Sequence, residues 1–364
     1  MKTPRTLTTL AAAALIATGA TATAVAAAPP HHDPIAAATR GALRAGAPGV
    51  VVAVDRDGSI RTYRAGVADR ATGALPAADA YFRIGSISKP FLATVVLQLV
   101  EERRLSLDDT LQQRLPGVLP RIDERRVTLR MLLDHTSGIP DGTGQLIAHP
   151  GRFGHRALSP SQLVHLAAKM APTDRPGARY SYSNTDYELL AMIVRRATGA
   201  PYTRAIRDRL LAPLHLRATV LPTARTSLPA PFLHGYTPEH GKLRDTTRFN
   251  ASWGGPAGGI VATAPDLARF GAALEQGRLL SADALRQMRG DARERQVGYG
   301  LGLERFDTPC GRTVFGHDGG MLGYASLLAT TADGRTSVAV GTSTVDTPAD
   351  DAAMHRIVDA AICG

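Results

Sequence analysis

Strand-like apolar runs lie toward both ends of the chain, and helical spacing dominates between them. Residues 50–54 and 60–66 are β-rich runs separated by the turn signal Asp55-Arg56-Asp57-Gly58, which predicts a hairpin. Toward the C-terminus the pattern predicts four more strands and a closing helix, at residues 300–306, 313–316, 324–331, 337–342 and 349–362.

The middle of the chain has a helical pattern. Apolar residues recur every three or four positions after Ser86, and Ser159 with Gln162 forms a capping-box signature before a second helix. Further helices are predicted at residues 35–45, 185–198 and 263–274, the second of these ending at Gly199. Residues 217–258 are rich in proline, threonine and glycine, which indicates irregular chain.

The economical arrangement of these elements is an antiparallel sheet formed from both ends of the chain, flanked by helices, with an all-helical lobe inserted. The sequence therefore predicts an α+β fold. Its mixed lobe would comprise about residues 33–85 and 260–364, and its helical lobe about residues 86–259. With 364 residues, 44% of them hydrophobic, the chain can bury a large core.

Residues 1–26 have the pattern of a secretory signal peptide. Lys2 and Arg5 give a charged start, residues 7–17 are apolar, and residues 24–26 fit a small-residue cleavage site. The apolar stretch is too short to span a bilayer, and an N-terminal membrane anchor is the alternative. We expect a secreted protein without stable membrane insertion, whose domain occupies residues 27–364.

The charge and the cysteine content limit the binding partners, disulfides and metal sites that we expect. The formal net charge is +10, but the arginines are scattered, which indicates a solvated basic surface, or attraction to an anionic cell envelope. We expect no nucleic-acid partner, since no basic helix carries interleaved aromatic residues. Cys310 and Cys363 suggest one disulfide in an exported protein, with two separate buried thiols as the alternative. No clustered ligand set indicates a metal or cofactor.

The first chemical motif is Ser86-Ile87-Ser88-Lys89 at a predicted helix start. One helical turn places Ser86 and Lys89 on the same face, where lysine could activate the serine hydroxyl. Lysine can act as a base only if burial or a neighbouring charge lowers its pKa. A helix cap followed by a surface lysine is the structural alternative. The chain has only four lysines, and this is its only Ser-x-x-Lys.

A second motif, Tyr182-Ser183-Asn184, directly precedes a predicted helix. A tyrosine near an ammonium group has its phenolate favoured, so Tyr182 is a candidate to take a proton from Ser86. Asn184 is a candidate to bind Lys89 and a substrate amide. The alternative is an asparagine helix cap beside a packed tyrosine.

The third motif is His317-Asp318-Gly319, followed by Gly320. Glycine at 319 and 320 permits close backbone approach, which a strand edge that pairs with substrate requires. The backbone N–H groups of Ser86 and Gly320 are candidates for an oxyanion hole, and His317 for setting the protonation of its neighbours. A turn with a surface histidine is the alternative.

A different catalytic arrangement is also conceivable, because Asp134 and His135 could join a serine in a triad. Adjacent residues at a helix end do not point at each other, and the sequence has no Gly-x-Ser-x-Gly elbow. We therefore interpret His135, within Leu133-Asp134-His135-Thr136-Ser137-Gly138, as structural.

The three motifs in this order resemble the serine penicillin-recognising family of β-lactamase fold. The likeness extends from about residue 33 to the end and includes Gly298-Tyr299-Gly300-Leu301-Gly302-Leu303. It is greatest to secreted D-alanyl-D-alanine carboxypeptidases of actinomycetes and to class C β-lactamases and esterases. The resemblance implies that Ser86 is acylated, that Lys89 and Tyr182 move protons, and that His317 is the third-motif residue. It leaves open which of Lys89 and Tyr182 is the acylation base.

Further site residues follow only from the resemblance. Trp253 falls where such enzymes carry an aromatic residue beside the cleft, and the cysteine pair corresponds to the carboxypeptidase disulfide. The carboxypeptidase holds its substrate's terminal carboxylate with hydroxyl residues and an arginine, where this chain has Asp318, Gly320 and Glu304. These carboxylates would repel an anionic substrate. Arg305 is a substrate-binding candidate, although strand alternation puts it opposite Glu304.

The sequence thus predicts an exported serine hydrolase that forms an acyl-enzyme on Ser86. D-alanyl-D-alanine carboxypeptidase action on cell-wall peptides is the expected activity. An esterase or β-lactamase of the same fold is the first alternative, and a non-catalytic penicillin-binding receptor is the second. Its partners would be small molecules or peptides with an acyl-D-alanine, ester or β-lactam group, and we expect a monomer.

Overall fold

A computed structural model describes Met1 and residues 33–144, 146, 157–222, 224–290, 298–344 and 348–364. Apart from Met1, the predicted signal peptide lies outside these residues. The strands within them are β1 Gly49–Arg56, β2 Ser59–Gly66, β3 Tyr81–Arg83, β4 Thr219–Val220, β5 Tyr236–Glu239, β6 Lys242–Asp245, β7 Val261–Thr263, β8 Glu304–Asp307, β9 Thr313–Met321, β10 Tyr324–Thr331 and β11 Thr336–Thr342.

Helices are the main regular structure in the central part of the chain. Those in the described residues are α1 Pro34–Arg44, α2 Ser88–Glu101, α3 Leu111–Arg114, α4 Leu129–Leu133, α5 Pro160–Ala167, α6 Asn184–Thr198, α7 Tyr202–Ile206, α8 Gly255–Gly258, α9 Ala264–Glu275, α10 Ala282–Met288 and α11 Pro348–Cys363. Short 3₁₀ turns lie at Gly85–Ile87 and Ala251–Trp253, and a π-helical turn lies at Arg207–Leu211. None of the helices in the described part of the chain has both the length and the apolar character needed to cross a membrane.

The main sheet is antiparallel and draws its strands from both ends of the chain, in the order β2-β1-β11-β10-β9-β8. The predicted hairpin is confirmed, with Arg56 paired to Ser59. Asp57 and Gly58 form its two-residue turn with φ of 52° and 86°, as a type I′ turn requires. This mixture of helices with an antiparallel sheet confirms the predicted α+β class.

Both faces of the main sheet are buried. Val50, Val52 and Val54 of β1 pack with the terminal helices α1 and α11, whereas Val51 and Ala53 belong to the large core that includes α2, α6 and α9. The alternation of a strand's side chains explains why β1 is apolar at nearly every position. The sheet therefore connects the terminal helices to the helical part of the chain.

Two segment predictions were wrong. The predicted strand at residues 300–306 is a strand only from Glu304, because Gly300 and Leu303 close a tight turn in which Gly302 has φ of 83°. The irregular chain predicted for residues 217–258 contains the short strands β4, β5 and β6. Their pairs are formed with distant or hairpin partners, which local composition does not reveal.

The predicted disulfide between Cys310 and Cys363 is present, with the two Cα atoms 5.8 Å apart. It joins the loop between β8 and β9 to the last residue of α11. The closing helix is thereby tied to the chain that leads into β9, the strand that carries the third motif.

Candidate active site

Ser86 lies in the 3₁₀ turn Gly85–Ile87, between β3 and the start of α2. The side chain of Ser88 holds the turn in place. Its Oγ donates to the carbonyl of Gly85 at 2.8 Å and accepts from the N–H of Ile260 at 3.1 Å. Gly85 has φ of 50°, and a Cβ there would lie 2.7 Å from Gly320 N. Glycine is thus required for β9 to approach the turn that presents Ser86.

The first two motifs converge on the hydroxyl of Ser86. The amine nitrogen of Lys89 lies 3.1 Å from Ser86 Oγ, and the phenol of Tyr182 donates to the same oxygen at 2.7 Å. Tyr182 and Ser86 are separated by 96 residues in sequence. Lys89 is fully buried, so the structural alternative of a surface lysine does not apply.

Two other atoms beside the Lys89 amine are oxygens, which can only accept hydrogen bonds. Its amine donates to Asn184 Oδ1 at 2.7 Å and to the carbonyl oxygen of Ala257 at 2.9 Å. A neutral amine has two hydrogens and one lone pair. With both hydrogens directed at Asn184 and Ala257, the lone pair is left for the Ser86 hydroxyl, which is the geometry of a general base.

The local environment favours that neutral amine. Burial lowers the pKa of Lys89 to about 7, against the opposing influence of several carboxylates, of which Asp141 is the largest. Lysine would otherwise hold its proton far above neutral pH. At pH values above 7, the buried site therefore supplies an amine that can receive the proton of Ser86.

The prediction that Tyr182 favours its phenolate form is wrong. Burial raises the pKa of Tyr182 well above its ordinary value, and the hydrogen bond with Ser86 opposes this only in part. The ammonium that would favour a phenolate is lost as pH rises through about 7, the lowered pKa of Lys89. Tyr182 is therefore a neutral phenol that donates to Ser86 Oγ, and the choice of base between the two residues favours Lys89.

The orientation of Asn184 depends on two residues that sequence reasoning missed. Its amide nitrogen donates to Asp141 Oδ2 and to Thr143 Oγ1, both at 3.0 Å, which turns Oδ1 toward Lys89. Asp141 and Thr143 follow the Ser137-Gly138 segment and are joined to each other at 2.7 Å. Neither carries a local signal, because their role arises only when this loop packs against the first turn of α6.

The edge of β9 lies open beside Ser86. In the described residues β8 pairs only with residues 313–316 of β9, so the chain from His317 onward has no strand neighbour on that side. Asp318 N–H points to this edge, where it donates to Glu304 Oε2 at 3.0 Å. Since backbone N–H groups alternate along a strand, the N–H of Gly320 faces the same edge. This direction suits the oxyanion role expected for Gly320.

Gly319 has a packing role on the face of β9 that lies against Ile84 and Ser326. A Cβ at this position would collide with the carbonyl oxygen of Ile84 and would lie 2.6 Å from Ser326 Oγ. The same hydroxyl of Ser326 donates to the Ile84 carbonyl at 2.9 Å. Gly319 therefore lets β9 lie directly on the residues that precede Ser86.

His317 is buried in β9 and is not a surface residue. Its Nε2 lies 3.0 Å from the hydroxyl of Tyr299, and its Nδ1 lies 2.6 Å from the carbonyl oxygen of Asp318. The Tyr299 ring lies edge-on to that of Tyr182 at 6.5 Å. Tyr299 therefore lies between His317 and Tyr182. Sequence reasoning named Tyr299 within a motif but assigned it no role.

The remaining candidates lie beside the cleft or away from it. Arg305 is not brought to Ser86, because its guanidinium is bound to Asp307 at 2.9 Å and to Thr313 at 3.4 Å. Trp253 is buried, and its ring packs on Phe249 with centroids 5.6 Å apart.

Asp318 and Glu304 make the open edge of β9 acidic. The Asp318 side chain is half exposed, and interactions with His317 and Lys89 outweigh burial and hold its pKa below the ordinary range. Burial raises the pKa of Glu304, with His317 as the main opposing influence. In the described part of the chain neither carboxylate is paired with a lysine or an arginine.

Glu304, His317 and Asp318 are also spaced as metal ligands could be. The Nδ1 atom of His317, however, is 2.6 Å from a carbonyl oxygen, so it carries the hydrogen in this arrangement. Binding a cation would first require that bond to break, and the geometry serves the hydrogen-bond network of β9.

The Asp134–His135 alternative does not form a triad. His135 Nδ1 is 2.9 Å from Asp186, and Ser137 Oγ donates to the other oxygen of the same carboxylate at 2.6 Å. Histidine and serine therefore share one aspartate and do not contact each other. His135 is fully buried, and its ring lies 4.4 Å from that of Tyr182, which it supports.

This geometry agrees with the comparisons to known proteins. The sequence model of the β-lactamase family matches residues 22–362. The protein belongs to the β-lactamase family. The resemblance inferred from the motifs is confirmed, and this member of the β-lactamase family is a serine hydrolase.

Several characterised proteins are similar to this β-lactamase-family chain. Penicillin-binding protein 4 of Amycolatopsis lactamdurans is 33% identical over 302 residues, which is 77% of each chain. The D-aminopeptidase of Brucella anthropi is 28% identical over 80% of this chain, which spans only 55% of that relative. Among solved structures, a D-stereospecific amidohydrolase from Streptomyces sp. has a TM-score of 0.81 at 34% identity, with 92% of this chain and 99% of that one covered.

Proposed function

We propose that the protein is an exported hydrolase that forms an acyl-enzyme on Ser86 and acts on amides or esters of D-amino acids. The observation that carries the substrate class is the half-exposed carboxylate of Asp318 at the open edge of β9, supported by Glu304. An ionised carboxylate there favours a cationic or neutral substrate group and repels a terminal carboxylate. Arg305, the residue that follows Glu304, is engaged by Asp307 and Thr313.

Acylation begins when the hydroxyl of Ser86 attacks the substrate carbonyl carbon. The hydroxyl proton passes to the lone pair of Lys89, and the N–H groups of Ser86 and Gly320 stabilise the oxygen that becomes negative. The ammonium of Lys89 then returns a proton, through the Tyr182 phenol, to the departing amine or alcohol as its bond to the carbonyl carbon breaks.

Deacylation repeats these proton movements with water as the nucleophile. Water loses a proton toward Lys89 as its oxygen attacks the ester carbonyl, and the Ser86 oxygen regains a proton as it leaves. Because the same two residues serve both half-reactions, no further base is needed for turnover.

The names of the relatives support D-configured donors. One is a D-stereospecific amidohydrolase at 34% identity and another a D-aminopeptidase at 28% identity. Export follows from the predicted signal peptide and is compatible with the disulfide.

D-alanyl-D-alanine carboxypeptidase action on cell-wall peptides is the second candidate. It is favoured by the 33% identity to a penicillin-binding protein over most of both chains. It requires the acidic pair at Glu304 and Asp318 to accept a peptide carboxylate, which is the physical objection to it. Assembly of Ser86, Lys89 and Tyr182 within hydrogen-bonding distance argues against a non-catalytic receptor.

A substrate panel tests the proposal. Purified protein and Ser86→Ala are compared on D-alanine p-nitroanilide, its L-enantiomer, an N-acyl-D-alanyl-D-alanine peptide, p-nitrophenyl acetate and benzylpenicillin. We expect Ser86-dependent turnover of the D-anilide and the ester, with little turnover of the peptide. Efficient peptide cleavage would establish the carboxypeptidase instead, and penicillin consumption a β-lactamase. Hydrolysis that persists in Ser86→Ala would exclude the proposed nucleophile.

A further inference from the structure

A buried carboxyl group beneath the catalytic lysine is not accounted for by the proposed reaction. Glu188 is fully buried in α6, and neither of its side-chain oxygens has a hydrogen-bond partner among the described residues. Burying an unpartnered carboxyl group is costly, so a position of this kind points to a role other than packing.

Glu188 is connected to Lys89 through the two chain segments that hold the lysine amine. Glu188 lies one helical turn after Asn184, on the same face of α6, and Asn184 accepts a hydrogen bond from the amine. Its carboxyl group also lies against the turn of α8, where a Cβ at Gly255 would be only 2.5 Å from Glu188 Oε1. Two residues further on, the carbonyl of Ala257 accepts the other hydrogen bond of Lys89.

We propose that Glu188 is a positioning residue of the active site, whose buried carboxyl group supports the turn that holds Lys89 and stabilises the ammonium that Lys89 becomes during acylation. It touches neither Ser86 nor, by its burial, the substrate. Its influence on the reaction passes through the position and the charge of Lys89.

The electrostatics are consistent with this role. Burial raises the pKa of Glu188 well above its ordinary value, and Lys89 is the group that lowers it. Reciprocally, a negative Glu188 raises the pKa of Lys89. The two charges therefore favour each other. The Lys89 amine and the Glu188 carboxyl group become an ammonium and a carboxylate together more readily than either would become charged alone. Other charged or titratable groups interact with this pair, namely Asp141, Glu304, Asp318, Tyr202 and the buried His135 and Asp186.

The charge on Lys89 can be measured without any assay of activity. The chain has only four lysines, Lys2, Lys89, Lys169 and Lys242, so selective ¹³Cε labelling of lysine gives a spectrum that can be assigned with Lys89→Arg. Titration of the Lys89 resonance then reports its pKa in the folded protein. This readout is independent of the proposed substrate class.

We expect Glu188→Gln, which keeps the size of the side chain, to move the Lys89 midpoint downward by about half a unit to one unit, because an amide cannot take the negative charge that favours the Lys89 ammonium. Glu188→Leu should shift it in the same direction. Glu275→Gln is the matched control, since Glu275 is another buried glutamate but is bound to Arg289. Melting curves identify variants that are unfolded, and the Gln and Leu variants provide two routes to a folded protein.

The kinetic expectation rests on the proposed function. With p-nitrophenyl acetate, Glu188→Gln should lower kcat about tenfold on the plateau, leave KM nearly unchanged and move the acid limb of the pH profile downward. A Lys89 midpoint that stays in place in both folded Glu188 variants, or that shifts equally in Glu275→Gln, overturns the inference. Absence of Ser86-dependent hydrolysis in the wild-type protein overturns the proposed function alone.

Discussion

Lys89 and Ser86 meet at 3.1 Å in a geometry that leaves the lysine lone pair for the serine hydroxyl, because Asn184 and Ala257 accept both hydrogens of a neutral amine. With the pKa of Lys89 lowered by burial to about 7, the base exists in its active form above that pH. We expect kcat/KM to rise with pH through about 7 and then level, as Lys89 loses its proton.

The check is a pH–rate profile for the wild type beside Lys89→Arg. Arginine cannot lose its proton in a protein, so that variant should lose hydrolysis by about a thousandfold or more. A profile that stays flat from pH 5 to 9 would contradict the assignment of Lys89 as base.

Tyr182→Phe separates the two candidates for the base. If the phenol only donates to Ser86 and carries the proton to the leaving group, its loss should slow turnover by about a hundredfold while the acid limb stays near pH 7. Burst experiments with an ester whose leaving group needs no proton should show a smaller loss. Disappearance of the limb at pH 7 would assign it to Tyr182 instead.

Asp318→Asn tests the effect of the charge at the open edge of β9. The substitution keeps the backbone N–H bound to Glu304 and removes a negative charge from the exposed face of β9. We expect kcat/KM for a peptide with a terminal carboxylate to rise about tenfold, and that for a cationic D-amino acid amide to fall similarly. Glu304→Gln, which retains an acceptor for Asp318 N–H, should act in the same direction. Equal effects on anionic and cationic substrates would remove the electrostatic explanation.

Gly319→Ala should separate β9 from the serine turn, because its Cβ would collide with the carbonyl of Ile84. We expect a strong loss of activity and a lower Tm. Gly144→Ala is the matched control, since a Cβ at that exposed glycine meets no neighbour within 4 Å. Comparable losses in both variants would show that the contact with Ile84 is not the cause.

Removing the disulfide should destabilise the fold without altering the chemistry. The bond closes a loop with a sequence separation of 53 residues, for which loop-closure entropy gives about 4 kcal/mol. We expect Cys310→Ser with Cys363→Ser to lower the urea midpoint, and kcat of the folded variant to remain near that of the wild type. A reducing agent should then affect the wild type alone.

Sequence reasoning identified the fold class and the three motifs because their information is local. Ser86 and Lys89 are one turn apart, Asn184 begins a helix with an evident end at Gly199, and apolar runs outline β10 and β11. The sheet built from both ends of the chain followed from the order of these elements.

What the sequence could not predict depends on burial and long-range contact. The neutral phenol of Tyr182 and the unpartnered carboxyl of Glu188 result from desolvation, which arises only when several segments pack together. Asp141 reaches Asn184 across 43 residues, and His317 meets Tyr299 instead of the serine. None of these relationships has a spacing signature.

Residues on the two faces of β9 differ in how freely they can be substituted. On the buried face, His317 and Gly319 are confined by Tyr299 and by the Ile84 carbonyl, whereas Asp318 and Gly320 alternate with them on the exposed face. Mutational libraries aimed at new substrates should therefore randomise positions 318 and 320 and leave 317 and 319 untouched. Selectivity can then diverge among descendants of this enzyme while the distance from the strand to the nucleophile stays constant.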